Sequence, residues 1–235
     1  MVEIEKKFMI TPEEYDMLCR AYAELPAKAH ANYYFDTKDY AYDKKGITCR
    51  IRKKDGLCTV TVKIHRVGKP DHSIEKCAMA RHEYDASVFE GMDVIPHGVL
   101  VTERKEFPLS HGIRVAIDRN TYLGTVDHEL EIEYVYDRNR HTHETDGVDM
   151  DGDTFTPSDD ELFCGDMCDE DDMDFDSDYT PYEEPCFEEA IRLLMNRFPA
   201  AEREKLVASF LHRPQARKTK SERFFERKRQ REGGD

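Results

Sequence analysis

The sequence predicts a mainly β fold of the α+β class, in which eight antiparallel strands could close into a barrel with helices at its periphery. Three observations predict it. Short strand-like runs follow one another from the first residue to about 136, separated by turn signals. The connections between them are mostly short, which favours antiparallel neighbours, and closure would remove exposed edges. On most of the runs charged residues fall at every second position with apolar or small residues between them, so each strand carries one charged and one apolar face.

The first run, Val2-Glu3-Ile4-Glu5-Lys6-Lys7-Phe8, puts Glu3, Glu5 and Lys7 on one face and Ile4 and Phe8 on the other. Thr11-Pro12-Glu13-Glu14 starts a helix, with Thr11 as cap and Pro12 at the first helical position, running to about Tyr22. Further strands are expected near 29–36, 47–53, 57–65, 73–84, 99–107, 112–118 and 125–136, with a short helix near Ser87 to Met92. A C-terminal helix is expected from Phe187 to Phe198.

The charged faces are specific. Arg50 pairs with Arg52, Thr59 and Thr61 with Lys63, Arg81 with Glu83, Thr102 with Arg104, and Glu129 with Glu131 and Glu133. Alternate positions such as Cys49, Ile51, Val60, Val62, Leu130 and Ile132 are apolar and suit packing under helices. Two arrangements fit: an ordinary solvated outer face, or a barrel turned inside out, polar within and apolar without. An ordinary outer face mixes Ser, Gln, Asn and Thr with its charges, whereas apart from Thr59, Thr61 and Thr102 these positions are all Arg, Lys and Glu, which favours the lumen. Carboxylates on its first and last strands with cations between would suit a metal-bound polyanion.

The net charge of −15 is an average over unlike parts. Between His141 and Pro185 there are 18 Asp and Glu and no Lys or Arg; removing those 18 from the 50 acidic residues leaves 32, against 35 basic ones. That segment reads as a disordered or loosely held insert, because it has almost no periodic apolar pattern with which to offset its ordering entropy. The expected organisation is therefore strands over 1–138, an acidic insert over 139–185, and a C-terminal helix and basic tail over 186–235 that complete the same domain. Asp149, Asp151 and Asp153 have the opening spacing of a calcium loop, but Thr154 stands where glycine is needed and no amphipathic helices flank it. Cys164 and Cys168, with no second pair, make a weak metal site. The insert is expected to be a passive loop rather than an inhibitory polyanion.

Seven cysteines without a dense framework suit a reducing cytoplasm, and no stretch approaches the 18 apolar residues of a membrane span. The run from Arg213 to Arg231 holds nine Arg and Lys, and a solvated helix end that helps close the lumen explains it more simply than nucleic-acid binding. The histidines show no catalytic spacing; His65, His72, His82, His97 and His128 read as surface or strand-end residues, and Cys49, Cys58 and Cys77 as core. No Walker-type loop, cysteine-nucleophile motif or zinc signature is present.

The motifs in order resemble the CYTH superfamily, the triphosphate tunnel metalloenzymes: Glu3-x-Glu5-x-Lys7, Tyr33-Tyr34-Phe35-Asp36-Thr37, Arg50-Ile51-Arg52, Thr61-Val62-Lys63, Arg81-His82-Glu83, Thr102-Glu103-Arg104, and Asp118 leading to Glu129-Leu130-Glu131-Ile132-Glu133. Lys220-Ser221-Glu222-Arg223-Phe224 resembles the basic ending of bacterial members. The resemblance implies an eight-stranded antiparallel closed β-tunnel that binds a triphosphate end-on with Mg²⁺ or Mn²⁺. Glu3, Glu5, Glu129 and Glu131 would ligate metal, with a frame of Glu131 and Glu133 left open. Asp118 would lie near the metal or its water, and Glu3, Glu5, Lys7 and Asp118 would serve catalysis. Lys7, Arg50, Arg52, Lys63, Arg81 and Arg104 would grip phosphate, as would Lys220 and Arg223, which would also close one mouth. One metal would bridge the triphosphate and a second could activate water. The activity implied is hydrolysis of inorganic triphosphate first, thiamine or nucleoside triphosphate next; the alternatives are adenylate cyclase chemistry or a polyphosphate sensor without turnover. Nothing in the sequence fixes the oligomeric state.

Overall fold

The computed structural model describes residues 2–66, 69–110, 112–134 and 187–233, with the backbone alone for 2–4, 65–66 and 69–76. The acidic insert, its calcium-loop candidate and Cys164 and Cys168 lie outside the described residues.

Eight strands run in the order β1 (Val2–Ile10), β2 (Lys28–Asp36), β3 (Ile47–Lys54), β4 (Leu57–Arg66), β5 (Lys69–Met79), β6 (Ile95–Ser110), β7 (Ile113–Tyr122) and β8 (Thr125–Tyr134). Every pairing is antiparallel, and the ring β1-β5-β4-β3-β2-β6-β7-β8 closes. The seam between β1 and β5 is the narrowest, three residue pairs from Val2 opposite Ile74 to Ile4 opposite His72.

The barrel is inside out, as the charge pattern suggests. Phe8, Ile10, Phe107, Val115, Ile117, Leu130 and Ile132 point outward and are buried under helices, in a core shared with Leu18, Ile191, Leu194 and Phe210. Those helices are α1 (Pro12–Ala21), α2 (Phe187–Leu194) and α3 (Ala200–Leu211). Thr11 caps α1 in a capping box with Glu14, and Pro12 occupies its first turn, so the start read from sequence holds. A second outer core, with Phe35, Cys49, Ile51, Val60, Phe89 and Val94, lies over β2, β3 and β4.

The fourth helix, α4 (Lys220–Arg231), closes one end of the barrel. Thr219 caps it in a second capping box with Glu222. Phe224 and Phe225 are fully buried against Tyr34, Tyr40, Leu100 and Tyr122, each contributing about 1.5–3 kcal/mol by burial. The fit is close: Gly98 has φ +144°, and a Cβ there would stand 2.9 Å from the Phe224 ring. Thr48 and Ser221 hydroxyls meet at 2.7 Å, and Arg229 pairs with Asp43 at 2.7 Å, which fixes both ends of the helix.

Four expectations are corrected. β5 stops at Met79, and the Ala80 N–H bonds back to the Cys58 carbonyl, so Arg81 and Glu83 fall in the turn beyond the strand. The helix expected near 87–92 is a single 3₁₀ turn, Ala86–Val88. The helix expected over Phe187–Phe198 is α2 continued by a 3₁₀ turn, Met195–Arg197, and after the break at Pro199 the stretch expected as a basic tail with a helix end holds two further helices. Cys77 is exposed while Cys49 and Cys58 are buried. His97 stands at the strand end expected of it, near the start of β6, and is buried there, its ring tilted against Tyr40 and edge-on to Phe225.

Candidate active site

Inward positions follow strand parity: Glu5 and Lys7 on β1, His30, Asn32 and Tyr34 on β2, Thr48, Arg50 and Arg52 on β3, Thr61 and Lys63 on β4, Thr102 and Arg104 on β6, Asp118 and Asn120 on β7, and Glu129 and Glu131 on β8. They enclose a cavity of about 310 Å³, floored by Thr219, Lys220 and Ser221 of the α4 start. His30, Lys54, Arg104 and Glu106 also line a second space of about 260 Å³ that continues toward Pro26 and Lys28.

Side-chain exposure shows which end faces water. Along β8 it rises from 0% at Glu129 to 10% at Glu131 and 28% at Glu133. Along β6 it rises from 15% at Arg104 to 32% at Glu106, and along β7 from 0% at Asp118 to 44% at Arg114. The cavity is a cup, open where β8 ends and closed by α4.

Its carboxylates form two tiers. In the inner tier, the Lys220 ammonium lies 2.7 Å from Asp118 Oδ2, 3.3 Å from Glu129 Oε1 and in contact with Glu131. Arg104 grips Asp118 with two bonds of 2.8 and 2.6 Å and also reaches Glu131. Arg223 bonds Asp127 at 3.0 Å and Glu129. Burial alone would raise the Glu131 carboxyl, but Arg104, Lys220 and Lys7 outweigh it and hold it well below the carboxylate range. Glu129, deeper, is instead pushed up by burial against Lys220 and Arg223. Burial would strip the Lys220 proton, yet Asp118, Glu129 and Glu131 hold it on and raise its pKa.

In the outer tier, Glu5 lies directly opposite Glu133 and Lys7 opposite Glu131 on the β1–β8 ladder. Lys63, from β4, reaches Glu5 at 2.8 Å, and Lys7 also contacts it. Burial raises the Glu5 carboxyl and these two ammoniums pull it down further, to about 2. At the rim, Arg114 stands 3.5 Å from Glu133 and 3.6 Å from Glu106. Facing these carboxylates, Arg50, Arg52 and Lys63 line the β3–β4 wall, with Arg52 Nε donating to Asn32 at 3.0 Å.

The expected residues therefore divide. Glu5, Lys7, Arg50, Arg52, Lys63, Arg104, Glu131, Glu133 and Lys220 line the cavity. Asp118 and Glu129 are sealed beneath it and Arg223 closes off Glu129. Arg81 is exposed after β5, its backbone N–H on Asp85, and its Arg81-x-Glu83 partner pairs outside the barrel with Lys53 at 2.9 Å. The side chain of Glu3 lies outside the described residues. Arg104 and Lys220, expected to hold phosphate, spend their donors on carboxylates.

Sequence reading missed His30, Asn32, Asn120, Glu106 and Arg114. Alternation of His30, Asn32 and Tyr34 with Ala29, Ala31 and Tyr33 carried the signal for the first two. His30 is buried and makes no side-chain hydrogen bond among the described residues; burial, then Arg52, Arg104, Lys220 and Arg50, lower its pKa to about 2, so it is neutral.

Among the described residues no three His, Cys, Asp or Glu side chains already converge as a metal cage. The donor chemistry nonetheless fits Mg²⁺ or Mn²⁺. Glu5, Glu131 and Glu133 are hard oxygen donors on adjacent strands of an open wall, and Mg²⁺ commonly takes one or two carboxylates and completes its shell with water and substrate phosphates.

The chain is similar to several known proteins. The CYTH domain family model matches residues 1–139. A Bacillus subtilis (strain 168) protein named "Putative triphosphatase YjbK" is 29% identical over 147 residues, covering 56% of this chain and 77% of its own. A crystal structure of a "putative adenylate cyclase" from Bacillus halodurans is 23% identical with TM-score 0.45, covering 56% of this chain and 79% of that one. The Hippeastrum "Putative adenylyl cyclase HpAC1", described as revealing a dominant triphosphatase activity, is 16% identical with TM-score 0.44, covering 57% and 80%.

Proposed function

The chain belongs to the CYTH domain family, and on that premise we propose that it is a metal-dependent hydrolase of a triphosphate, with inorganic triphosphate as the first substrate. The observation that carries the reading is the opposition of the two cavity walls, Arg50, Arg52 and Lys63 against Glu5, Glu131 and Glu133, in a cup closed at one end. The name of the Bacillus subtilis relative, "Putative triphosphatase YjbK", supports it.

Arg50 and Arg52 offer forked donors to phosphate oxygens, and Lys7 and Lys63 compact charges that also anchor Glu5. Phosphoanhydride cleavage needs charge neutralisation and a positioned water rather than a covalent nucleophile. Glu5, Glu131 and Glu133, with Glu3 joining them by its place in the sequence motif, would hold the divalent cation, which when bound neutralises phosphate charge and lowers the pKa of a coordinated water. The closed floor keeps the α4 end dry and makes the substrate enter phosphate-first. Tyr34, the one tyrosine, phenylalanine or tryptophan among the described residues of the wall, is buried and packed against Phe224, so it offers no open ring face to a nucleobase. Hydrolysis of inorganic triphosphate therefore ranks above thiamine or nucleoside triphosphates and above cyclisation of ATP. Strands 1–138 and the helices after 186 act as one catalytic domain, with the acidic insert between them.

The test is phosphate release from triphosphate, thiamine triphosphate, ATP and GTP with Mg²⁺ or Mn²⁺, with cyclic AMP measured in the ATP reactions. Fastest release from triphosphate supports the reading; cyclic AMP as the main product from ATP replaces it with a cyclase, and binding without turnover replaces it with a sensor.

A further inference from the structure

From the second space beside the main cavity we infer a further phosphate subsite: Lys28, Lys54 and His30 take the fourth phosphate of an unbranched inorganic polyphosphate whose first three phosphates lie in the main cavity. This rests on the reading of that cavity as a triphosphate site and extends its substrate class to longer chains.

The two spaces are continuous, since His30, Lys54, Arg104 and Glu106 line both. Strand parity builds the path between them. Arg50, Arg52 and Lys54 are successive inward positions of β3, and they climb from the floor, where Thr48 meets Ser221, to the mouth. Inward positions repeat about every 6.8 Å along an antiparallel strand, so Arg50 to Lys54 spans roughly 14 Å, more than three linked phosphates need. On β2, His30 and Lys28 make the matching climb, with Lys28 directly opposite Arg104 on the β2–β6 ladder. Lys54 is held at its level by the two-residue turn Asp55-Gly56, both at positive φ, which pairs Lys54 with Leu57.

Charge selects the occupant. Among the described residues the one carboxylate lining this space is Glu106, already placed between Arg104 at 3.7 Å and Arg114 at 3.6 Å. Arg104 spends its donors on Asp118 and Glu131, which leaves Lys28 and Lys54. Neither ammonium has an ion-pair or hydrogen-bond partner among the described residues. His30 is the second sign of a ligand. It is 5% exposed, lines both spaces, and has no side-chain hydrogen bond among the described residues. Its neutral imidazole can donate one N–H to a phosphate oxygen. Pro26 is the apolar residue of the space, so a nucleoside finds little surface to pack on there.

The test is calorimetric binding of inorganic triphosphate, linear tetraphosphate and ATP to the full chain, with chelator present so that no turnover intervenes. Wild type should bind tetraphosphate about tenfold or more tightly than triphosphate, the worth of an added charge-assisted contact. Lys54→Met should lose part of that preference, and the double variant Lys28→Met/Lys54→Met should bring it to about twofold or less. Lys53→Met should keep it: the same charge is removed one residue away, but Lys53 points outward and pairs with Glu83 at 2.9 Å. Equal wild-type affinities for the two phosphates, or equal effects of Lys53→Met and Lys54→Met, overturns the inference. ATP bound as tightly as tetraphosphate would give the space to a nucleoside and also overturns it. Phosphate release with Mg²⁺ separates this inference from the hydrolase reading. A tetraphosphate preference without turnover leaves the subsite standing and sinks the hydrolase, whereas triphosphate turnover without the preference does the reverse.

Discussion

Lys63 Nζ lies 2.8 Å from Glu5 Oε1, a bond that spans from β4 to β1 across the intervening β5. It joins the cationic wall to the carboxylate wall at the point where a metal-bound phosphate would sit between them. Substrate would therefore exchange one partner of each group for another rather than strip both of charge, which keeps a buried carboxylate and a buried ammonium neutralised throughout.

Glu5→Gln and Glu131→Gln remove a ligand charge while keeping shape. Each is expected to lower kcat for triphosphate by about 10²–10³ or more while triphosphate binding survives, since the cations remain. Phosphate release and calorimetric binding measured on the same preparations check this. Wild-type turnover in both variants contradicts the assignment.

Arg50→Met and Arg52→Met delete forked donors from the cavity wall. A charge-assisted hydrogen bond is worth about 1.5–3 kcal/mol, so KM should rise about tenfold or more. Arg81→Met should leave both kinetic constants unchanged, because Arg81 is exposed beyond β5. Steady-state kinetics on the three variants separates the structure from the sequence motif, which treated them alike.

That contrast shows what the sequence could and could not express. Period-two charge on Arg50, Arg52, Lys63, Glu5 and Glu131 reported the lumen face, because parity is a local property of a strand. Arg81 obeyed the same parity but lies two residues past the end of β5, and strand ends depend on partners across the ladder. Depth along the barrel was equally hidden: Glu129, Glu131 and Glu133 share a face, yet they run from sealed to solvent-exposed. The partners of Lys220 were out of reach for another reason, since Asp118 is 102 residues away and only the seating of α4 brings the two together.

Stability should fall on acidification in two windows. His30 has its pKa lowered from 6.5 to about 2, so below about 6.5 the unfolded chain takes a proton that the folded one refuses, and stability drops by about 1.4 kcal/mol per pH unit from this group. Glu5 is lowered from 4.5 to about 2, so its contribution is complete above 4.5 and is lost as pH falls from there toward 2. Urea unfolding of wild type and His30→Asn between pH 7.5 and 5 checks the first window: the variant should show the shallower slope. Equal slopes would place His30 in water.

Gly98→Ala puts a methyl into the Phe224 ring at a backbone angle that L-residues avoid. Phe224 is fully buried and cannot swing away. A loss of about 1–3 kcal/mol is expected, a fall in Tm of several degrees, together with reduced activity as the α4 floor loosens. A thermal melt and a phosphate-release assay on the purified variant check it; an unchanged Tm would mean that α4 does not press on β6.

The most direct measurement is phosphate release from inorganic triphosphate by wild type and Glu5→Gln, each with Mg²⁺ or Mn²⁺ and again with excess chelator. Turnover by wild type that needs the metal, and its loss in Glu5→Gln with binding retained, is the predicted result. Metal-independent turnover, or no turnover of triphosphate by a folded wild-type chain, would contradict the account.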